Sequence, residues 1–373
     1  MSPRELARAV AAYGLPDHDG PFLGGGGPQT PLDASSWSQL IAIVQHQRLT
    51  GYLHAAVDAG VLAVTDEQRQ QVDELHLGSC STVLRLERIL VDLATELEAA
   101  GIEFVVLKGS ASAHLVHDDP AVRMFGDNDL LFRTEEFEPA LQVLRKIGYH
   151  QQSVPPTSSF GRRFAKGVTL EGPTGDELDA HRNLVFGTFG FAIEVDELFD
   201  SSTEFELGGR KLQALGSETR LLHACYHAGL GDPVPRLSSV RDVAQMLMTG
   251  AQDAMRVREL ASRWKSEAVV ARACQLCEDH LGVAVEGPIA EGLMDYEPTR
   301  REQRAIDSYV GADRSFAAKV LASLPYVEGL GERTAFLRAI LVPSSDFAES
   351  RGSRRGIRWL LYGARSLFRK GRR

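Results

Sequence analysis

Two aspartates, one residue apart at the head of an apolar run, narrow what this chain can fold into more than any other feature. They are Asp127 and Asp129 in the stretch FVVLKGSASAHLVHDDPAVRMFGDNDLLF, residues 104–132. In an extended strand, residues i and i+2 point to the same face. The spacing therefore predicts two carboxylates side by side, with Asn128 and Leu130 turned the other way. Like charges so close resist joint ionisation unless a cation intervenes. Mg²⁺ takes hard oxygen ligands, commonly one or two carboxylates plus substrate phosphates. Two such ions roughly 3.5–4 Å apart can clamp an in-line phosphoryl displacement.

The residues upstream suit the same chemistry. The apolar run from Phe104 to Leu107 meets a Lys108-Gly109-Ser110 turn, and a helix-like segment follows. Such a turn leaves backbone N–H groups free at a helix start, where an anion binds well. Gly109 lets the backbone approach closely, and Ser110 adds a hydroxyl. A third carboxylate is offered by GDELDAHRNLVF, where Asp179 shares a strand face with His181. Asp176 and Glu177 are its rivals. Asp179 is preferred because it lies inside the strand pattern, where an unpaired acid is costly. Asp176 belongs to a PTGD turn, a place where Asp is favoured for local reasons.

Organisation along the chain is helical, then mixed, then helical. Residues 1–33 read as a short helix followed by a Gly/Pro-rich mobile linker. Its four successive glycines lack the preceding strand and following Lys-Ser or Lys-Thr of a phosphate loop. Residues 34–100 carry helical periodicity. Leu86, Ile89, Leu90, Leu93 and Leu97 form one stripe, and Gly101 ends it. Residues 101–215 form a compact unit with strands in EFVVL, DLLF, GVTLEG, ELDAHRNLVF and EFELGG around the helix EEFEPALQVLRKIGY. Glu135, Glu136 and Glu138 are expected in its first turn, as the helix dipole prefers. Residues 216–350 are helical again. They start at SETRLLHACYHAGL, with a Ser suited to capping, and include AMRVRELASRWKSEAVVARACQLCEDHLG as one long helical pattern.

These residues resemble the nucleotidyltransferase superfamily of DNA polymerase β type. There a Gly-Ser or Gly-Gly turn and a helix precede Asp-x-Asp, and a later Asp lies on a neighbouring strand. The chain is more closely similar to a bacterial family of uncharacterised nucleotidyltransferase proteins. Its L-K-G turn, Arg before Asp-x-Asp and D-x-H motif match Leu107-Lys108-Gly109, Arg123, Asp127-Asn128-Asp129 and Asp179-Ala180-His181. The likeness continues through LLHACYH and RLSSVRDVAQML, so it covers most of the chain. Type IV toxin nucleotidyltransferases share the K-G turn and the Arg-before-Asp layout. Two departures stand out: a long gap between Gly-Ser and Asp-x-Asp, and Asn128 where an apolar residue is common.

The resemblance implies an α+β fold, with a small mixed sheet flanked by helical regions. It also implies transfer of a nucleoside monophosphate from an NTP with pyrophosphate leaving. Asp127 and Asp129 would hold both metals, Mg²⁺ or Mn²⁺ in its place. Asp179 would hold the catalytic metal and assist deprotonation of the acceptor. Gly109 and Ser110 would bind the β and γ phosphates, and Lys108 or Arg123 would balance their charge. His181 joins the nucleotide-binding set. The acceptor is a peptide, protein, small molecule or RNA. The competing readings are a toxin-like enzyme acting on RNA and a degenerate, non-catalytic nucleotide-binding partner.

Other signals are weaker. His223 and His227, four apart on one helix, suit a metal site, contact with nucleotide or acceptor, or simple packing on the mixed domain. Cys274 and Cys277 have the C-x-x-C spacing of half a zinc site or a redox pair, but their helical flanks favour two core-facing residues of one helix. No apolar run reaches the roughly 18 residues of a membrane span, and the N-terminus lacks a signal-like apolar core. A cytoplasmic location is the expectation. The net charge of −9 is uneven: nine of the 41 basic residues lie in 351–373, leaving 32 basic against 50 acidic residues before them. That amphipathic tail suits packing on the acidic body, an anionic membrane or nucleic acid, and packing is preferred.

Overall fold

Capping chemistry sets the first helices. In the computed structural model, Ser2 and Glu5 form a reciprocal capping box at α1 (Pro3–Ala12), with Pro3 in its first turn. The Asp33 carboxylate accepts from the N–H groups of Ser35 and Ser36 to open α2 (Ala34–His46). An elbow leads to α3 (Thr50–Asp58). Thr65 and Gln68 form a second capping box at α4 (Asp66–Ala99), a helix of 34 residues that buries Leu86, Leu90, Leu93 and Leu97. The described residues are 1–16, 28, 30–152, 157–250, 252–312, 316–327, 329–342, 344 and 347. The four-glycine run and the basic tail lie outside them.

The mixed region follows as β1 (Val105–Val106), α5 (Ser110–Val116), β2 (Asn128–Leu131), α6 (Phe137–Lys146), β3 (His150–Gln151), α7 (Ser158–Arg163), β4 (Gly167–Glu171), β5 (Glu177–His181), α8 (Val195–Asp200), β6 (Thr203–Leu207) and β7 (Arg210–Ala214). The strands make one seven-stranded sheet in the order β3-β4-β5-β2-β1-β7-β6. β2 runs parallel to β5 and β1 parallel to β7, while the remaining pairs are antiparallel. The fold class is α+β with a mixed sheet. α9 (Ser217–Leu230), α10 (Leu237–Thr249), α11 (Ala254–Arg263), α12 (Glu267–Leu281), α13 (Pro288–Glu291), α14 (Arg300–Val310), α15 (Phe316–Ser323) and α16 (Leu330–Leu341) complete the elements.

The sheet has two different faces because its strands alternate. Val106, Leu130, Leu178 and Ala180 face α4 and α6, where they pack on Leu90, Leu97, Phe137 and Leu141. Val105, Leu107 and Leu131 join the larger core on the other side. That core draws Leu6, Leu40, Val44 and Leu53 from the helices before the sheet, and Leu222, Cys225, Val240 and Cys277 from those after it. The N- and C-terminal helical stretches therefore share one apolar body, and it covers the face that carries Asp129. Cys274 and Cys277 are buried within it, the Sγ of Cys277 lying 3.7 Å from the Val240 carbonyl.

Four local expectations need correction. The fifth strand stops at His181, because the N–H groups of Arg182 and Asn183 both turn to the Lys166 carbonyl. α6 starts at Phe137, so of the three glutamates only Glu138 lies in its first turn, with Glu136 as the cap. Gly216, not Ser217, caps α9. The long pattern 254–282 is two helices, broken where Lys265 takes φ 55° and the Ser266 N–H closes on Ala261. β7 also escapes the sequence reading. Its signal is present in Gly208-Gly209, both at positive φ, the composition of a tight hairpin turn.

Candidate active site

The lead-in to β2 builds one wall of the site. Gly109 takes φ 62° and ψ −117° at the start of α5. A β-carbon there would stand 3.3 Å from the Phe125 ring, so this turn needs glycine. The Leu107 N–H donates to the Asp129 carbonyl at 3.0 Å, which ties the turn to β2. Asn128 points away from the site, as the alternation predicts, and its Nδ2 donates to the Leu86 carbonyl of α4.

Register brings the acids together. On parallel strands β2 and β5, Asp129 stands opposite Asp179 and Leu131 opposite His181. Side-chain donor atoms of Asp129, Asp179 and His181 all lie within 4.8 Å of one another. His181 Nε2 is 2.9 Å from Asp129 Oδ1 and 3.8 Å from Asp179 Oδ2. A carboxylate only accepts, so this nitrogen carries the hydrogen. Thr169 Oγ1 donates to Asp179 Oδ1 at 2.6 Å, which orients the second carboxylate.

Asp127 sits one residue before β2 and outside that close group. Its Oδ1 is 3.6 Å from Arg48 Nη1, and its Oδ2 is 3.5 Å from Lys108 Nζ. Lys108 also reaches Asp129 Oδ2 at 3.1 Å. The two aspartates thus share one ammonium, that of Lys108. Of the rivals to Asp179, Asp176 is held by Tyr149 and Thr174 in its turn. Glu177 shares the Asp179 face and lines the cleft.

Burial and charge are in close competition here. Burial opposes ionisation of Asp129, but Lys108 and the His181 hydrogen bond outweigh it and hold the carboxyl well below its usual range. Burial likewise disfavours the Lys108 charge, and Asp129 and Asp127 reverse that effect. Burial, then the nearby Lys166, keeps His181 below the ordinary imidazole value. For Lys166 itself burial wins and its pKa falls, although Asp129 and Asp179 pull the other way. Burial raises the Glu177 carboxyl, with Asp179 and Asp127 adding to the effect.

A cleft of about 350 Å³ opens beside these groups. Lys108, Gly109, Arg123 and Asp127 line one side, and α9 and α10 contribute His223, His227 and Ser239. His227 Nδ1 lies 2.9 Å from Ser239 Oγ. Burial, reinforced by His181 and Lys108, pushes His223 down to about 3. Ser110 does not line the cleft: its hydroxyl is buried without a hydrogen-bond partner, while Ser112 one step further does line it. Arg123 is already engaged, donating from Nε and Nη2 to the two oxygens of Asp242 at 2.9 and 2.6 Å. This bidentate pair joins the sheet motif to α10.

The donor set suits a hard divalent cation. Asp129 Oδ2 is a buried oxygen with an ion pair but no hydrogen bond. Asp129 and Asp179 share the strand face whose Glu177 lines the cleft, and Asp127 lines the cleft itself. Arg48, Lys166, Ser112 and Asp242 were not singled out in the sequence, because no local pattern marks them. Asp242 alone fell within a stretch noted for its resemblance, RLSSVRDVAQML, with nothing there to point to Arg123.

A comparison with known families decides the assignment. Residues 33–282 match the model of a family described as uncharacterised nucleotidyltransferase. The chain belongs to this family. That match runs from α2 to the end of α12, so the family unit includes the sheet and most of the helical body that covers it, without α1 and the helices after α12. Among solved structures it is similar to ANT(2″)-Ia in complex with adenylyl-2″-tobramycin, at 14% identity and a TM-score of 0.35, covering 49% of this chain and 98% of that one. It is also similar to an antigenic nucleotidyltransferase-like protein from Paracoccidioides brasiliensis, at 17% identity and a TM-score of 0.29, covering 48% and 92%. A search of curated proteins returns no match. Among the described residues, no helix is long and apolar enough to cross a membrane.

Proposed function

We propose that this nucleotidyltransferase moves a nucleoside monophosphate from an NTP to an acceptor nucleophile, with release of pyrophosphate and in dependence on Mg²⁺. The observation that carries the reading is the in-register pair Asp129 and Asp179, joined by His181 beside a cleft with basic residues on its rim. Asp127, Asp129 and Asp179 would hold the cation. When bound, it supplies Lewis acidity toward the phosphates and offsets their charge; Mn²⁺ suits the same oxygens.

The protein's own groups have separable tasks. Gly109 presents the turn to the β and γ phosphates, with Ser110 buried behind it and Lys108 within reach of their charge. His181 holds Asp129 in place by its Nε2 hydrogen bond. Arg123, fixed by Asp242, braces the phosphate turn through its 3.4 Å contact with the Gly109 carbonyl. The acceptor atom attacks the α-phosphorus, the bond from that phosphorus to the bridging oxygen breaks, and the electron pair leaves on pyrophosphate. The acceptor's proton passes to Asp179. The α9–α10 side, with His223 and His227, lies where the acceptor would enter.

Incubation with each α-labelled NTP and Mg²⁺, followed by intact mass of acceptor fractions, tests this reading. Expected is a mass gain of one nucleotide residue together with pyrophosphate release. Release of inorganic phosphate without nucleotide transfer would overturn it.

A further inference from the structure

Arg48 belongs to none of the sheet motifs, yet its side chain lines the cleft. It comes from the elbow between α2 and α3, and its Nη1 lies 3.6 Å from Asp127 Oδ1. The elbow is seated firmly. A β-carbon on Gly51, at the start of α3, would overlap the backbone of Val122 just before Arg123. On the facing side, a β-carbon on Gly126 would stand 3.1 Å from Arg48 Nη2, so the glycine before Asp127 leaves room for the guanidinium.

The backbone at Arg48 is unfavourable for an arginine. Its φ is 57°. The Leu49 N–H reaches the Val44 carbonyl and the Arg48 N–H that of Gln45, the bonding of a Schellman helix end. Glycine is the usual residue at that position. Lys265 ends α11 in a similar conformation, so a left-handed backbone alone marks nothing. What sets Arg48 apart is where its side chain ends and what it leaves uncommitted. Arg123 is bound to Asp242, and Arg220 donates to the Leu215 carbonyl. Among the described residues, the Arg48 guanidinium has an ion pair but no hydrogen bond, leaving its five donors open.

We propose that Arg48 is a nucleotide-positioning residue: the helical body delivers its guanidinium to the triphosphate of the bound NTP, beside the Asp127 edge. This rests on the nucleotidyl-transfer reading. A planar fork of donors suits phosphate oxygens, and the strained elbow holds it there at a cost to the helix end.

The test uses the full-length chain with Mg²⁺, and calorimetry with the four NTPs, inorganic pyrophosphate and a nucleoside. Arg48→Gly should weaken NTP and pyrophosphate binding by about tenfold, ~1.4 kcal/mol, and leave the nucleoside unaffected. Its Tm should be no lower than that of the wild type, since glycine suits the left-handed position. Arg48→Lys should recover part of the affinity without that relief. Gly126→Ala should weaken the same ligands by crowding Nη2. Unchanged NTP and pyrophosphate affinity in Arg48→Gly would overturn the assignment, whether Tm falls or KM for the acceptor rises instead. A wild-type chain that binds no NTP would overturn the transfer reading itself, which separates the two failures.

Discussion

Asp129 and Asp179 stand opposite one another in register on parallel neighbours β2 and β5, with His181 two residues on bonded to Asp129. Both acids lie on the sheet face covered by the helical body, and the opposite face is wholly apolar at Leu130, Leu178 and Ala180. An acidic pair so enclosed is stable only with counter-charge, which Lys108 provides in part.

Replacing either acid should remove turnover. For Asp179→Asn the expected loss in kcat is roughly 10³-fold, the scale of several kcal/mol of transition-state stabilisation. Asp129→Asn should match it and also lower Tm, because Lys108 loses a buried partner. Circular dichroism and steady-state kinetics on both variants check this. NTP binding should fall sharply after metal removal in the wild type, measured by calorimetry.

Glu177→Gln separates the two acids on β5. Glu177 lines the cleft on the Asp179 face, but it lies outside the close group formed with Asp129 and His181. Its removal should change kcat by less than about tenfold, a difference under ~1.4 kcal/mol. If Glu177→Gln abolishes transfer and Asp179→Asn does not, the assignment of the third acid is wrong.

The Arg123–Asp242 pair should behave as a structural clamp. Asp242 is also 3.8 Å from His117 Nε2, and Arg123 with His117 outweighs burial to keep its carboxyl well below the usual range. Asp242→Ala leaves the Arg123 charge buried and should cost about 3–5 kcal/mol. Replacing both residues by apolar ones of similar size should cost much less. Urea unfolding of the two single variants and the double variant reads the coupling directly.

Stability should fall on mild acidification through His223. Its folded pKa of about 3 lies below the ordinary value near 6.5 that applies in the unfolded chain. The unfolded state therefore binds the extra proton between those values. Stability is complete above about pH 6.5 and declines as the pH drops toward 3, by about 1.4 kcal/mol per pH unit for one such histidine. Burial also holds His227 well below its ordinary value, and it acts with the same sign. Urea unfolding at about pH 7.5 and about pH 5.5 should give a shallower pH dependence for His223→Phe than for the wild type. Equal slopes would show that His223 takes up its proton at the same pH in the folded and unfolded chains.

Much of this architecture was legible because it rests on local chemistry. Alternation by itself turned Asn128 and Leu130 away from Asp129, and the 3.6-residue period fixed the buried stripe of α4. Ser2 with Glu5 and Thr65 with Gln68 were not singled out, though each is a helix start whose cause lies within four residues. Gly109 follows from the turn it must make. Such features depend on a few neighbouring dihedrals, so a short window of sequence contains their cause. The break at Lys265 was not visible in the same way, since helical periodicity continues across it and only packing on α9 and α10 gives two helix directions an advantage.

The site itself was decided by tertiary structure. Asp129 meets His181 across 52 residues, and Arg123 meets Asp242 across 119. Strand register sets the first meeting, and a one-residue slip of β5 would send Asp179 and His181 to the apolar face. The second depends on how α10 seats in the core shared by the first and last helices. Arg48 enters the cleft for the same reason: Gly51 allows α3 to press on Val122. The sequence names the acids and the face they occupy. Which of them converge, and which cations reach them, follows from burying apolar surface that the sheet and helices cannot bury separately.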